Sequence, residues 1–123
     1  MKILVIDDDK MMQESISFTL KNEGYDVILA NDGYIALDLI ERHKIDLIIS
    51  DILMPNLSGL GLLSLLKQFY FNRIPVILIS SLNKADVIAK SLGLGAVAFI
   101  TKPFSSQILC EKIRQYIQKK SAW

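Results

Sequence analysis

Three consecutive acids, Asp7, Asp8 and Asp9, stand directly behind the apolar run Ile3-Leu4-Val5-Ile6. Three further apolar runs end in the same way, on a polar side chain. Leu47-Ile48-Ile49-Ser50 leads to Asp51, and Pro75-Val76-Ile77-Leu78-Ile79 leads to Ser80-Ser81. Ala96-Val97-Ala98-Phe99-Ile100 leads to Thr101-Lys102-Pro103. If each run is a buried strand of one open parallel sheet, these ends share the edge at which such sheets bind ligands. Several carboxylates, a hydroxyl and a lysine then meet at one small site, which is the equipment of metal-assisted phosphoryl transfer. A carboxylate can attack a phosphoryl group to form an aspartyl phosphate, and Asp51 is the expected acceptor. Positioning and charge neutralisation carry most of that reaction. Clustered carboxylates repel unless a cation lies between them, and Mg²⁺ suits oxygen ligands. Asp8 and Asp51 are expected as direct ligands, with Asp7 acting through water. Lys102 is expected to pair with Asp51 at rest and with phosphoryl oxygens after transfer, while Ser80 donates a hydrogen bond to the same group.

The elements that must position these residues are legible as an alternation. Strands are expected near 2–6, 26–30, 46–50, 75–80 and 96–100, and their near-continuous apolarity suits a parallel sheet covered on both faces. Helix one, about 10–23, carries Met12, Ile16 and Leu20 on one face and stops at Gly24, a left-handed C-cap. Helix two begins near Gly33 behind Asp32 as N-cap. Helix three starts near Ser58-Gly59, and helix four runs from about Lys84 to Gly93. Helix five starts at Ser105 or Ser106, with apolar Ile108/Leu109, Ile113 and Tyr116/Ile117, and Lys119 to Trp123 are expected to fray. The β-α-β-α order implies right-handed crossovers. The fold class is therefore α/β, a doubly wound, flavodoxin-like, five-stranded parallel sheet of order 2-1-3-4-5 with helices on both faces.

Length and composition bound the alternatives. The 123 residues suit one domain, and 51% apolar residues are enough for a core. A net charge of +1 gives no reason to expect direct nucleic-acid binding. The single cysteine, Cys110, and the single histidine, His43, offer no zinc constellation. The first apolar run is broken at Asp7, too early for a signal peptide, and no segment approaches the roughly 20 apolar residues of a membrane span. A cytoplasmic protein is expected.

The chain resembles the receiver domains of two-component response regulators, close to the stand-alone chemotaxis and sporulation-relay type. The segments that carry the likeness are Val5-Ile6-Asp7-Asp8-Asp9, Ala30-Asn31-Asp32-Gly33-Tyr34-Ile35-Ala36-Leu37, Ser50-Asp51 through Ser58-Gly59, and Gly95-Ala96 through Thr101-Lys102-Pro103-Phe104. The likeness extends over residues 1–123 as a single receiver domain. It implies that Asp51 takes its phosphoryl group from a histidine kinase or histidine phosphotransfer protein. It further implies that Asp7, Asp8, Asp51 and the backbone carbonyl of Leu53 hold Mg²⁺. Ser80 fills the place of the family's hydroxyl residue, Phe99 that of its switch aromatic, and the Lys102–Pro103 peptide is expected to be cis. Phosphorylation would draw Ser80 inward, let Phe99 rotate, and reshape the face of helix four, strand five and helix five for a downstream protein. On helix one, Met11, Ser15 and Phe18 share the face that would meet the kinase.

Some positions depart from the family's common pattern. Leu53 and Leu82, two residues after Asp51 and two after Ser80, replace polar groups that can orient an attacking water, so slow self-dephosphorylation is expected. Phe99 lacks the hydroxyl of the common tyrosine. Val97 and Ala98 replace the acidic pair of the symmetric dimers formed by DNA-binding members, which argues against that dimer. Three related readings share the site: an output module, a relay intermediate that passes its phosphoryl group to another histidine, and a receiver cut from a longer regulator or hybrid kinase. A separate class is a haloacid-dehalogenase-like phosphatase, in which Asp7 and Asp9 would be nucleophile and acid/base. It lacks the usual Thr or Val at Met11 and the later acidic pair at Ser80-Ser81-Leu82-Asn83. No glycine-rich loop follows the first strand, which disfavours a flavin or dinucleotide binder.

Overall fold

The computed structural model describes residues 1–70 and 74–121. The described elements alternate: β1 (Lys2–Ile6), α1 (Lys10–Asn22), β2 (Asp26–Ala30), α2 (Gly33–Arg42), β3 (Leu47–Asp51), α3 (Gly59–Tyr70), β4 (Val76–Ser80), α4 (Ala85–Gly93), β5 (Ala98–Thr101) and α5 (Ser106–Ser121). The strands form one parallel sheet in the order β2-β1-β3-β4-β5, the expected doubly wound, flavodoxin-like topology.

Strand alternation sends successive side chains to opposite faces. Ile3 and Val5 of β1, Leu47 and Ile49 of β3, Ile77 and Ile79 of β4, and Ile100 of β5 pack with Ile16 and Leu20 of α1 and Leu109 and Ile113 of α5. Leu4, Ile6, Ile48 and Leu78 pack on the other side with Ala36, Ile40, Leu62 and Leu66 of α2 and α3, and Val87 of α4 joins them. Each fully buried Ile or Leu contributes about 1.5–3 kcal/mol, so both faces must be covered, which explains the unbroken apolarity of the strands.

Glycine geometry fixes two helix ends. After α1, Gly24 has φ +91°, its N–H donates to Lys21 O, and Tyr25 N–H donates to Leu20 O. The same pair of bonds closes α4, which ends at Gly93 as expected, around Gly95 (φ +106°), with Gly95 N–H to Leu92 O and Ala96 N–H to Ser91 O. Both are left-handed caps that satisfy the last carbonyls of the helix. This cap also shortens the fifth strand. Ala96, expected to begin it, is spent on the cap, and the strand runs 98–101 in place of 96–100. Asp32 caps α2 as expected, its carboxylate accepting from Ile35 N–H at 2.9 Å. Helix α5 reaches Ser121, beyond the point where fraying was expected. Ala122, Trp123 and the side chain of Ile117 lie outside the described residues. Among the described residues, no helix is long and apolar enough to cross a membrane.

Candidate functional site

The sheet register delivers the polar residues to one edge. Ile6 lies beside both Ala30 and Ser50, Asp51 beside Ile79, and Ser80 beside Thr101. Alternation then sorts them by face. Asp7, Asp51 and Lys102 each follow by two a residue packed under α1 and α5, namely Val5, Ile49 and Ile100. Ser80 and Phe99 belong with Leu78 to the opposite face, as diagonal neighbours across β4 and β5.

The first group converges. One carboxylate oxygen from each of Asp7, Asp8 and Asp51 lies within 4.8 Å of the others. Lys102 Nζ donates to Asp51 Oδ2 at 2.9 Å and to Asp7 Oδ2 at 3.3 Å. Asp51 Oδ1 accepts from Leu53 N–H at 3.2 Å, and Asp7 Oδ1 accepts from Asp9 N–H at 2.9 Å. Asp7 and Asp51 are buried, whereas Asp8 is exposed. Burial raises the Asp7 carboxyl above the ordinary aspartate range, outweighing the Asp9 N–H and the Lys102 charge that pull it down; the Asp51 charge adds to the rise. Burial pulls Lys102 down, but the hydrogen bond and charge of Asp51, with the charge of Asp7, leave it raised. An all-oxygen cluster of three carboxylates with one buried edge fits a hard divalent cation such as Mg²⁺.

Ser80 is fully buried, and its hydroxyl accepts from Leu82 N–H at 3.0 Å instead of bonding the acids. Phe99 is half-buried and lines a groove with Ile88, Leu92, Val97 and Tyr116. Leu53 and Leu82 both expose their side chains beside the site. The Lys102–Pro103 peptide is cis. Met11 and Phe18 are 81% and 69% exposed on α1. Ser15 and Phe18 line a cleft against α5 with Thr19, Ser106, Cys110 and Arg114, and Met11 is not part of that lining.

Three residues with a part in this geometry escaped the sequence reading. Asp9 caps α1, its carboxylate accepting from Met11 N–H at 3.0 Å and Met12 N–H at 3.3 Å. Gly59 sits so close to β3 that a Cβ there would lie 2.3 Å from Asp51 O. Gln13 is buried behind the Asp7–Asp8 turn. Its signal was a polar residue on the stripe of Ile16 and Leu20.

The sequence model of the response regulator receiver domain matches residues 3–114. The chain is a member of the response-regulator receiver family. A solved receiver domain of Francisella response regulator 1452 is 34% identical over 97% of this chain and 98% of its own, with a TM-score of 0.91. A receiver domain protein from Clostridium thermocellum is 30% identical over 98% and 97% of the two chains, with a TM-score of 0.89. Chemotaxis protein CheY4 of Vibrio cholerae is 27% identical over 93% and 96%, with a TM-score of 0.86. Receiver domains are signalling modules of two-component systems that carry a phosphorylated aspartate and bind Mg²⁺ at an acidic pocket. In this receiver the acidic group is Asp7, Asp8 and Asp51.

Proposed function

We propose that Asp51 is the phosphoacceptor of this receiver and that Asp7, Asp8 and Asp51, with the carbonyl of Leu53, hold Mg²⁺. The observation that carries the reading is the meeting of three carboxylates within 4.8 Å with Lys102 bridging two of them. A carboxylate oxygen of Asp51 bonds to phosphorus as the P–N bond of a phosphohistidine on a kinase or phosphotransfer protein breaks. Leu53 N–H holds the Asp51 carboxylate in place for that attack. Lys102 moves its donors from Asp51 Oδ2 to the new phosphoryl oxygens. A bound Mg²⁺ supplies neutralisation of the charge on the transferring group.

The output is a change of surface. Ser80, whose hydroxyl oxygen accepts from Leu82 N–H at rest, turns to donate its O–H to the phosphoryl group, and its diagonal neighbour Phe99 moves with it. The groove of Ile88, Leu92, Val97 and Phe99 on the α4–β5–α5 face is the contact for a downstream protein. Met11, Ser15 and Phe18 form part of the donor's contact, supported by their exposure on one face of α1. The phosphatase reading loses its acid/base, because the Asp9 carboxylate is committed to the α1 N-terminus.

Intact-mass measurement after incubation with acetyl phosphate and Mg²⁺, beside Asp51→Asn, tests the assignment. The expected result is one phosphoryl group that requires Mg²⁺ and is lost in the variant. A gain that persists in Asp51→Asn would move the acceptor to Asp7.

A further inference from the structure

Gln13 is a buried amide on the apolar stripe of α1. Its Nε2 donates to the carbonyl of Asp7, to that of Ala30 at 3.1 Å, and to Asn31 Oδ1 at 2.8 Å. Two of these partners are backbone carbonyls, which accept only, so the amide's orientation is fixed. One side chain thus ties the end of β1, the end of β2 and the turn into α2. The Asp7 carbonyl shares a rigid peptide plane with the nitrogen of Asp8. Holding that carbonyl therefore fixes the peptide plane in which the Asp8 Cα lies and from which its side chain departs. Among the described residues no hydrogen bond or ion pair holds the exposed Asp8 carboxylate itself, so backbone aim alone directs it into the cluster.

We propose that Gln13 is a positioning residue for the acidic cluster: by clamping the Asp7–Asp8 turn it sets the affinity for the divalent cation, and through Asn31 it links that turn to the start of α2. The inference rests on the reading that Asp7, Asp8 and Asp51 hold Mg²⁺.

The test is a Mg²⁺ titration of the metal-stripped full chain, followed by backbone amide NMR shifts, in wild type, Gln13→Met, Asn31→Ala and Asp8→Asn. Gln13→Met keeps the volume and removes the donor, and its Mg²⁺ Kd should rise about tenfold, the scale seen when a group supporting a metal ligand is lost. Asn31 is exposed, so Asn31→Ala leaves the core intact and should weaken Mg²⁺ in the same direction by less. Phosphorylation by acetyl phosphate at saturating Mg²⁺ should stay near wild type in both, a split between affinity and maximal rate that general loss of structure would not produce. A Kd within about twofold of wild type in Gln13→Met, or in Asn31→Ala if the former does not fold, overturns the inference when Asp8→Asn abolishes binding. Binding that survives Asp8→Asn overturns the metal reading itself.

Discussion

Lys102 reaches Asp51 at 2.9 Å and Asp7 at 3.3 Å, so one ammonium bridges two acids that arrive from β3 and from the end of β1. A divalent cation held as proposed would draw on the same carboxylates as the lysine. Lys102→Met should bind Mg²⁺ more tightly than wild type, because a competing cation is gone. In EDTA it should be less stable by about 1–3 kcal/mol, the scale for buried polar groups left without their partner. Titration calorimetry and denaturant unfolding in EDTA read the two effects separately.

The raised Asp7 carboxyl sets a pH dependence. A folded-state pKa above the ordinary 3.8 means that the native protein holds a proton that the unfolded chain has already released. Stability from this group falls as pH rises from the ordinary value through the raised one, and above both the ionised Asp7 is a constant cost. In EDTA at pH 7, Asp7→Asn should melt at a higher temperature than wild type, and the difference should shrink as pH falls toward 3.8. The raised Lys102 works the other way. Its stabilisation is complete below the ordinary 10.5 and is lost as pH climbs through the raised value.

Leu53 and Leu82 flank the site with apolar, exposed side chains, and neither can orient an attacking water. Leu53→Asn supplies a group that can. The aspartyl phosphate of the variant should decay several-fold faster in a phosphate-release assay, with Mg²⁺ affinity unchanged. A lifetime equal to or longer than that of wild type counts against the role of these leucines.

Gly59 is held against β3 by its own N–H, which donates to Ile52 O at 2.9 Å. A methyl group there meets the Asp51 carbonyl, a backbone atom that cannot rotate away. Gly59→Ala should cost about 1–3 kcal/mol, as overpacking does, and should slow labelling by acetyl phosphate because the strain falls on Asp51, the proposed acceptor.

Met11→Ala/Phe18→Ala changes two exposed side chains, so stability should move by less than about 0.5 kcal/mol per site. Labelling by acetyl phosphate should be unchanged, while transfer from a partner's phosphohistidine should slow. Normal transfer kinetics would remove these residues from the donor contact.

What the sequence made legible here was set by periodicity and spacing. The two-residue step from Ile49 to Asp51 and from Ile100 to Lys102, and the sheet-facing stripe of α1, follow from patterns of two and of three to four, while the sheet order came from the flavodoxin-like arrangement usual for five alternating strands. What stayed hidden depends on where single polar atoms point. Asp9 looked like a third member of the acidic group until its carboxylate was seen turned to the N–H groups of Met11 and Met12. Gln13 looked like an ordinary helix residue, because its three acceptors come from positions 6, 17 and 18 residues away. Helix α4 ends at Gly93 as expected, but that its left-handed cap lies at Gly95 is a matter of backbone geometry that the sequence pattern does not specify.

The Lys102–Asp7 and Lys102–Asp51 pairs span 95 and 51 residues of chain. Contacts of that separation carry the entropy cost of closing a long loop. During synthesis the acids of β1 and β3 emerge long before the lysine that follows β5. A half-made chain thus carries Asp7, Asp8 and Asp51 without the ammonium that bridges two of them. The Lys102 bridge to Asp7 and Asp51 therefore forms only once β5 lies beside β4, so the two buried acids keep their shared ammonium only in a chain whose fifth strand is in place.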